Sequence, residues 1–305
     1  MRSAKPHVFH IARDLSVPLA AGHVFTLAKY RLTAEALRSR GVPEESFERH
    51  GPIPWEDLAR VHSADYLEDL RAGRHNARTI ASEIDLNVAI VGAFRSMTAA
   101  TVAAARDALS LGYAANLGGG FHHAFRDRPE GFCYLNDIAV AIEALRADGL
   151  ARRPAVVDCD VHQGNGTAAI FRGDHDVFTL SIHQENNYPP KQPGSLDIGL
   201  DDGAGDDEYL SALGGGLSTL LERHPPDLVC YVAGADTYAH DHLGGLRVTK
   251  EGHARRDRLV LDAFGGRGIP LFTVLAGGYA RVLADTVDIY AQTCWDIWSR
   301  AQERR

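Results

Sequence analysis

The segment Asp158-Cys159-Asp160-Val161-His162 carries two carboxylates and an imidazole at alternate positions. On an extended strand such positions face one side, so Asp158, Asp160 and His162 are expected to project together while Cys159 and Val161 face away. The run ends in Gln163-Gly164-Asn165-Gly166, a Gly-rich turn at the carboxyl end of an apolar strand, where ligands sit in open α/β sheets. Asp236 closes a second apolar run at Ala233-Gly234-Ala235-Asp236 and can join Asp160 and His162. Two Asp and one His around Zn²⁺ leave a coordination position open for water or substrate, which is the arrangement of a catalytic site.

Two further strand ends carry reactive side chains. Gly118-Gly119-Gly120-Phe121-His122-His123 places consecutive histidines after a triple-glycine turn, where both rings can reach one cavity as general base and general acid. Gly277-Gly278-Tyr279 presents a phenol whose O–H can stabilise a developing oxyanion. Taken singly these are weak signals, because tandem histidines are commonly structural and a Tyr after Gly-Gly often packs its ring in a turn. Four polar strand ends on one sheet are a much stronger signal than any one of them. Solitary histidines such as His7, His75 and His224 are left without a role.

The elements that must position these groups are short apolar strands: Tyr113–Gly120, Ala155–His162, Val177–His183, Leu228–Asp236 and Pro270–Tyr279. Helical stretches lie between and after them, at Ser96–Leu111, Asn136–Leu150, Asp207–Arg223, Glu251–Phe264 and Thr286–Arg300. The alternation predicts one α/β domain over residues 1–305 with a mostly parallel sheet flanked by helices. In the last helix Ile289, Thr293, Ile297 and Trp298 share a face that should dock on the sheet.

The chain has 305 residues, 45% hydrophobic and 24% charged, with 40 acidic against 32 basic side chains and a formal net charge of −8. This is the composition of a globular protein, and the acidic balance argues against direct nucleic-acid binding. The start, Met1–Leu15, has no apolar stretch of signal-peptide length, and no later run is expected to span a bilayer, so a cytoplasmic location is expected. Cys133, Cys159, Cys230 and Cys294 form no CxxC pair and are expected to be reduced, mostly structural thiols. No exposed heptad or extended apolar face is legible, and a monomer is the default expectation.

The blocks GGGFHHAFRDRPEGFCYLND (118–137), VVDCDVHQGNGTAAIF (156–171), AGADTYAHDHLGGL (233–246) and LAGGY (275–279) resemble, in order and spacing, the signature blocks of the zinc-dependent histone deacetylase family. With Gly22-His23, Lys29-Tyr30-Arg31 and residues 61–67 (VHSADYL), the resemblance runs over nearly the whole chain and is strongest to class IV and compact bacterial members. It implies the three-layer arginase-deacetylase fold and one Zn²⁺ on Asp160, His162 and Asp236, the three residues that the spacing also selects. It further implies that Tyr279 helps polarise the acyl carbonyl of an N-acylated lysine or amine. His123 is then the base toward the attacking water and the acid toward the leaving amine, and His122 orients the water. Asp158 backs His122, and Asn165 stands beside His123 where many relatives carry Asp. By the same resemblance Gly131 and Phe132 wall a narrow acyl-lysine tunnel, with Tyr188 opposite and Leu243 at the rim. A structural potassium ion is a secondary expectation, at Asp158, Asp160, His162, Ser181 and Ile182.

Two other functions compete. An arginase-like ureohydrolase needs two metal ions and extra carboxylates, but the next same-face position after Asp236 is Tyr238. A silent acyl-ligand binding protein would be expected to have lost a zinc ligand, His123 or Tyr279, and all are present. Within the enzyme reading, acetyl-lysine, longer fatty acyl-lysine, acetylated polyamines and other small acylated amines all remain open as substrates.

Overall fold

The computed structural model describes residues 6–17, 19–20 and 22–304. The first five residues, part of the segment read above as lacking a leader, lie outside the described residues. Eight strands are described: β1 (Phe9–Ala12), β2 (Phe47–His50), β3 (Tyr113–Asn116), β4 (Pro154–Asp158), β5 (Phe178–Gln184), β6 (Leu196–Leu200), β7 (Leu228–Val232) and β8 (Leu271–Val274). They form one sheet in the order β2-β1-β3-β8-β7-β4-β5-β6, and every pairing is parallel. The helices are α1 (Ala28–Ser39), α2 (Trp55–Leu58), α3 (Ala64–Ala72), α4 (Val88–Leu111), α5 (Asp137–Ala147), α6 (Asn165–Ile170), α7 (Asp206–Arg223), α8 (Lys250–Gly265) and α9 (Leu283–Glu303).

Residue parity along the strands shows that both faces are covered. On β3, Asn116 donates to Met97 O of α4, whereas Tyr113, three residues earlier, reaches Leu261 O of α8 on the other side. Helices α4 and α5 pack together on one face, while α9 joins α1 and α8 on the other and α8 packs on α7. With both faces buried, β4, β7 and β8 read as unbroken apolar runs rather than alternating ones. Their side chains are sequestered from water, and each fully buried Val, Leu or Phe contributes roughly 1.5–3 kcal/mol.

Two expectations need correction. Helix α4 begins at Val88, not Ser96, because the Asn87 side chain accepts from Ile90 N at 2.9 Å and caps the helix eight residues earlier. Extended to 24 residues, it is also long and apolar enough by length and composition to cross a membrane, with mean hydropathy 1.5, contrary to the expectation that no run would be. Its apolarity has a local cause, since it packs against β1, β3 and α5. The C-terminal helix docks as expected, with Ile289, Thr293 and Ile297 buried, but Trp298 is only partly covered and lies against Trp295.

The connections also locate the site. From β4 the chain proceeds to β5 and β6 on one side, then returns to β7 on the other side of β4 and continues to β8. The carboxyl ends of β4 and β7 therefore flank a topological switch point, where parallel sheets open a crevice.

Candidate active site

The strands are shorter than their apolar runs suggested, and the functional residues lie just beyond them. β4 stops at Asp158, so strand alternation is not what gathers Asp158, Asp160 and His162. Asp158 Oδ1 accepts from Asp160 N at 3.1 Å and Asp160 Oδ1 accepts from His162 N at 3.0 Å, two successive turns made by carboxylates on the backbone two residues ahead. These turns swing His162 Nδ1 to 3.1 Å from Asp160 Oδ1. Asp236 follows β7 and accepts from Val161 N through Oδ1 at 2.9 Å, which ties the two strand ends together.

Asp236 Oδ2 is buried with no hydrogen-bond partner and lies 3.5 Å from His162 Nδ1. An unpaired buried acceptor costs about 1–3 kcal/mol, and more when charged. Burial and the neighbouring Asp160 push the Asp236 carboxyl up to about 7. Although burial works against a charged ring, the Asp160 and Asp236 carboxylates raise His162 to about 10. One ligand atom from each of Asp160, His162 and Asp236 lies within 4.8 Å of the others. The donor types and the orphaned carboxylate oxygen fit a divalent cation, which would meet the same field that favours the proton on His162. Gly277 completes the cradle: its N–H donates to Asp160 Oδ2 at 2.8 Å, and a Cβ there would collide with Asp236 Oδ2 and Asp160 Oδ2.

The histidine pair is held from below. Asp137, at the start of α5, accepts from Gly120 N at 3.0 Å, Phe121 N at 2.8 Å and Thr101 Oγ1 at 2.6 Å. Gly120 has φ 81°, and a Cβ there would lie 2.5 Å from that of Ala276, so the turn requires glycine. His122 Nδ1–H donates to Asp158 Oδ2 at 2.7 Å, and its Nε2 lies 3.1 Å from His123 Nε2. His123 Nδ1–H donates to Asn165 Oδ1 at 2.8 Å, and Asn165 Nδ2 donates to Glu130 Oε1 at 2.6 Å. The two rings consequently differ in charge. Against the effect of burial, Asp158 and Asp160 lift His122 to about 9, while burial and the cationic His122 and His162 hold His123 well below the ordinary range. A charged orienting imidazole beside a neutral basic one is a pairing suited to proton transfer.

Tyr279 packs its ring 5.9 Å from that of Phe132, and its N–H donates to Asp241 Oδ2 at 2.6 Å. Asp241 Oδ1 accepts from Leu243 N and Gly244 N, so one carboxylate sets both the tyrosine and the rim. Beneath lies Lys29, fully buried, its Nζ donating to Ala276 O and Gly278 O and standing 4.8 Å from the Tyr279 ring centroid.

Gly131, Phe132, Tyr188 and Leu243 line one open cavity of about 550 Å³ together with His123, His162 and Tyr279. His122, Asp160 and Gly277 line the inner space below it. Asp158 pairs in register with Ser181 across β4 and β5, and the Ser181 hydroxyl is bonded to His183 Nδ1. Glu130, Asp241, Asp137 and Lys29 were not singled out from the sequence for these positions. Asp137, Glu130 and Asp241 fall inside the motif blocks and Lys29 inside Lys29-Tyr30-Arg31, but nothing in their spacing shows which side chain each stands behind.

Sheet and site together define a parallel α/β enzyme in which a histidine pair, a phenol and an Asp₂His cluster meet at the carboxyl edge of the strands. The histone deacetylase domain model matches residues 23–294, and the chain belongs to that family, whose members hydrolyse amide bonds. It is 41% identical over 288 residues to an uncharacterized protein of Picosynechococcus, covering 92% of this chain and 94% of that one. To a histone deacetylase-like amidohydrolase of Pseudomonas aeruginosa it is 33% identical over 286 residues, covering 87% of this chain and 74% of that one. The crystal structure of an HDAC homolog from Aquifex aeolicus superposes with a TM-score of 0.81 at 25% identity, covering 98% of this chain and 85% of that one.

Proposed function

We propose that this chain is a Zn²⁺-dependent deacylase that removes an acyl group from N-acyl-lysine. The observation that carries the reading is the orphaned Asp236 Oδ2 beside His162 Nδ1 and Asp160, with His162 lining the same cavity as His123 and Tyr279. Zn²⁺ on Asp160, His162 and Asp236 would act as a Lewis acid toward the acyl carbonyl. Neutral His123 takes a proton from water as its oxygen bonds to the carbonyl carbon, and Tyr279 O–H donates to the resulting oxyanion. Breaking the C–N bond returns the proton from His123 to the departing amine, leaving a carboxylate and a free lysine. His122, charged and bonded to Asp158, orients the water and offsets the negative charge of the intermediate.

Phe132 and Tyr188 form aromatic walls that suit the alkyl stem of lysine, with Leu243 at the mouth. The class IV likeness extends the acyl range to fatty chains, in a cytoplasmic and monomeric enzyme. A potassium ion on oxygen atoms around Asp158, Asp160, His162, Ser181 and Ile182 remains part of the proposal. An acetylpolyamine substrate is the second reading, favoured by exposed Glu83 on the same cavity, where a cationic tail would be attracted.

The test compares kcat/KM of the Zn²⁺-loaded protein on acetyl-lysine peptide, long-chain acyl-lysine peptide and acetylated polyamine, with Asp236→Ala as the blank. A lysine peptide is expected to win by at least tenfold, about 1.4 kcal/mol of transition-state discrimination. Turnover of the polyamine alone would install the second reading. No turnover above the blank would leave a silent binding protein.

A further inference from the structure

A second group of metal-type side chains lies at the far edge of the sheet, away from the catalytic cavity. β1 and β2 pair in parallel with His10 opposite Glu48 and Ala12 opposite His50, which puts His10, Glu48 and His50 on one face. His10 is fully buried, His50 is partly covered, and Glu48 opens to solvent. Three other strands, β3, β8 and β7, separate β1 from β4, whose end carries the catalytic cluster.

Three donor atoms converge. His10 Nδ1 is 2.9 Å from His50 Nε2, and Glu48 Oε2 is 3.5 Å from each nitrogen. A triangle with sides of 2.9, 3.5 and 3.5 Å has a circumradius of about 1.9 Å, so a point about 0.7 Å off its plane is about 2.05 Å from all three atoms, the bond length of Zn²⁺ to imidazole and carboxylate. The mean side, (2.9 + 3.5 + 3.5)/3, about 3.3 Å, matches the ligand separation of a tetrahedral site, whereas an octahedral face at similar bond lengths would give about 3.0 Å.

The surroundings prepare His10 as a ligand. Its Nε2 meets only acceptors, His7 O at 3.1 Å and Asp107 Oδ2 at 3.3 Å, so the proton sits on Nε2 and the Nδ1 lone pair faces the other two donors. Asp107 belongs to α4 and is itself fixed by His7 N at 2.7 Å. A carboxylate behind an imidazole, holding its tautomer and orientation, is the outer support that metal-binding histidines use. A simple His50 to His10 hydrogen bond would explain the 2.9 Å contact. Against the effect of burial, Asp107 and Glu48 raise His10, so a proton and a metal ion would compete for the same pocket, and a Zn²⁺ titration separates them.

We propose that His10, Glu48 and His50 form a second Zn²⁺ site, with one position left to water, that clips edge strand β2 to β1. The site is independent of the catalytic cluster and does not rest on the deacylase reading.

The test uses the full chain stripped with a chelator and titrated with Zn²⁺ against a chromophoric competitor, with Co²⁺ absorption as a spectroscopic check of tetrahedral coordination. The parent is expected to bind two ions, His50→Ala one, Asp236→Asn one, and the double variant none. Zn²⁺ should still raise the melting temperature of Asp236→Asn but not that of the double variant. His50→Ala, on an edge strand outside the catalytic cavity, should retain deacylase activity within twofold of the parent. Glu48→Gln serves as a second probe if His50→Ala folds poorly, and should weaken the second ion at least tenfold. A His50→Ala protein that binds as many ions as the parent overturns the proposal, whereas a parent that binds one ion and a His50→Ala protein that binds none would support it and count against the cation at Asp160, His162 and Asp236.

Discussion

His123 illustrates how one side chain depends on the groups behind it. Its Nδ1–H bonds to a neutral amide, yet that amide is itself held at 2.6 Å by the Glu130 carboxylate. Negative charge thus reaches the imidazole through Asn165, whose orientation is set because Nδ2 can only donate to a carboxylate and Oδ1 also accepts from Gly166 N. Without Glu130 the amide would lose its charge-assisted anchor, and the ring would be less firmly held for proton transfer. Glu130→Ala is expected to lower kcat about tenfold, with KM changed less than twofold, in steady-state assays on the best acyl-lysine peptide. An unchanged kcat would mean that Asn165 orients His123 unaided.

At the scale of elements, α1 drives Lys29 beneath the loop that follows β8, where its ammonium meets Ala276 O and Gly278 O. Burial pulls this lysine down to about 8, against the pull of Asp236, Asp160 and Asp241, compared with 10.5 for the free group. Below about 8 both folded and unfolded chains hold the proton, and the cost of burying the charge is fully present. Between about 8 and 10.5 the folded chain has released it while the unfolded chain still binds it, so this residue's contribution to stability rises with pH. The melting temperature of the parent relative to Lys29→Met should accordingly increase from pH 7.5 to pH 10. A difference that stays flat or falls would show that the ammonium remains protonated inside the fold. On the same side of the sheet, Asp257 of α8 accepts from Arg256, Tyr231 and Thr293, and Arg256 Nη1 donates to Gly234 O. That buried network carries the position of α8 and α9 to the loop bearing Asp236.

For the whole molecule, the parallel sheet brings together residues that are 76 positions apart in the chain, Asp160 and Asp236 (236 − 160), because β4 and β7 are neighbours. Burial and the neighbouring Asp160 push the Asp236 carboxyl up, and a metal ion held by the pair would relieve that repulsion, so metal should act on stability as well as activity. Chelation is expected to abolish hydrolysis and lower the melting temperature; Zn²⁺ at a hundred times its Kd would restore about 2.7 kcal/mol per site that exists only in the folded chain. Calorimetry with and without chelator reads this directly, and an unchanged melting temperature would refute a cation at the Asp₂His cluster. The amino-acid sequence by itself determined the parallel α/β class, the apolar strands and the chemical identity of the cluster, because apolar runs and motif spacing are local properties written in consecutive residues. It left hidden the turns by which Asp158 and Asp160 bend the chain, the early start of α4, and the placing of Glu130 behind Asn165 and of Asp241 behind Tyr279. Only the tertiary structure decided these, since each depends on a side chain meeting a backbone or a partner across the fold, and in a packed interior that meeting is settled by which strands and helices become neighbours.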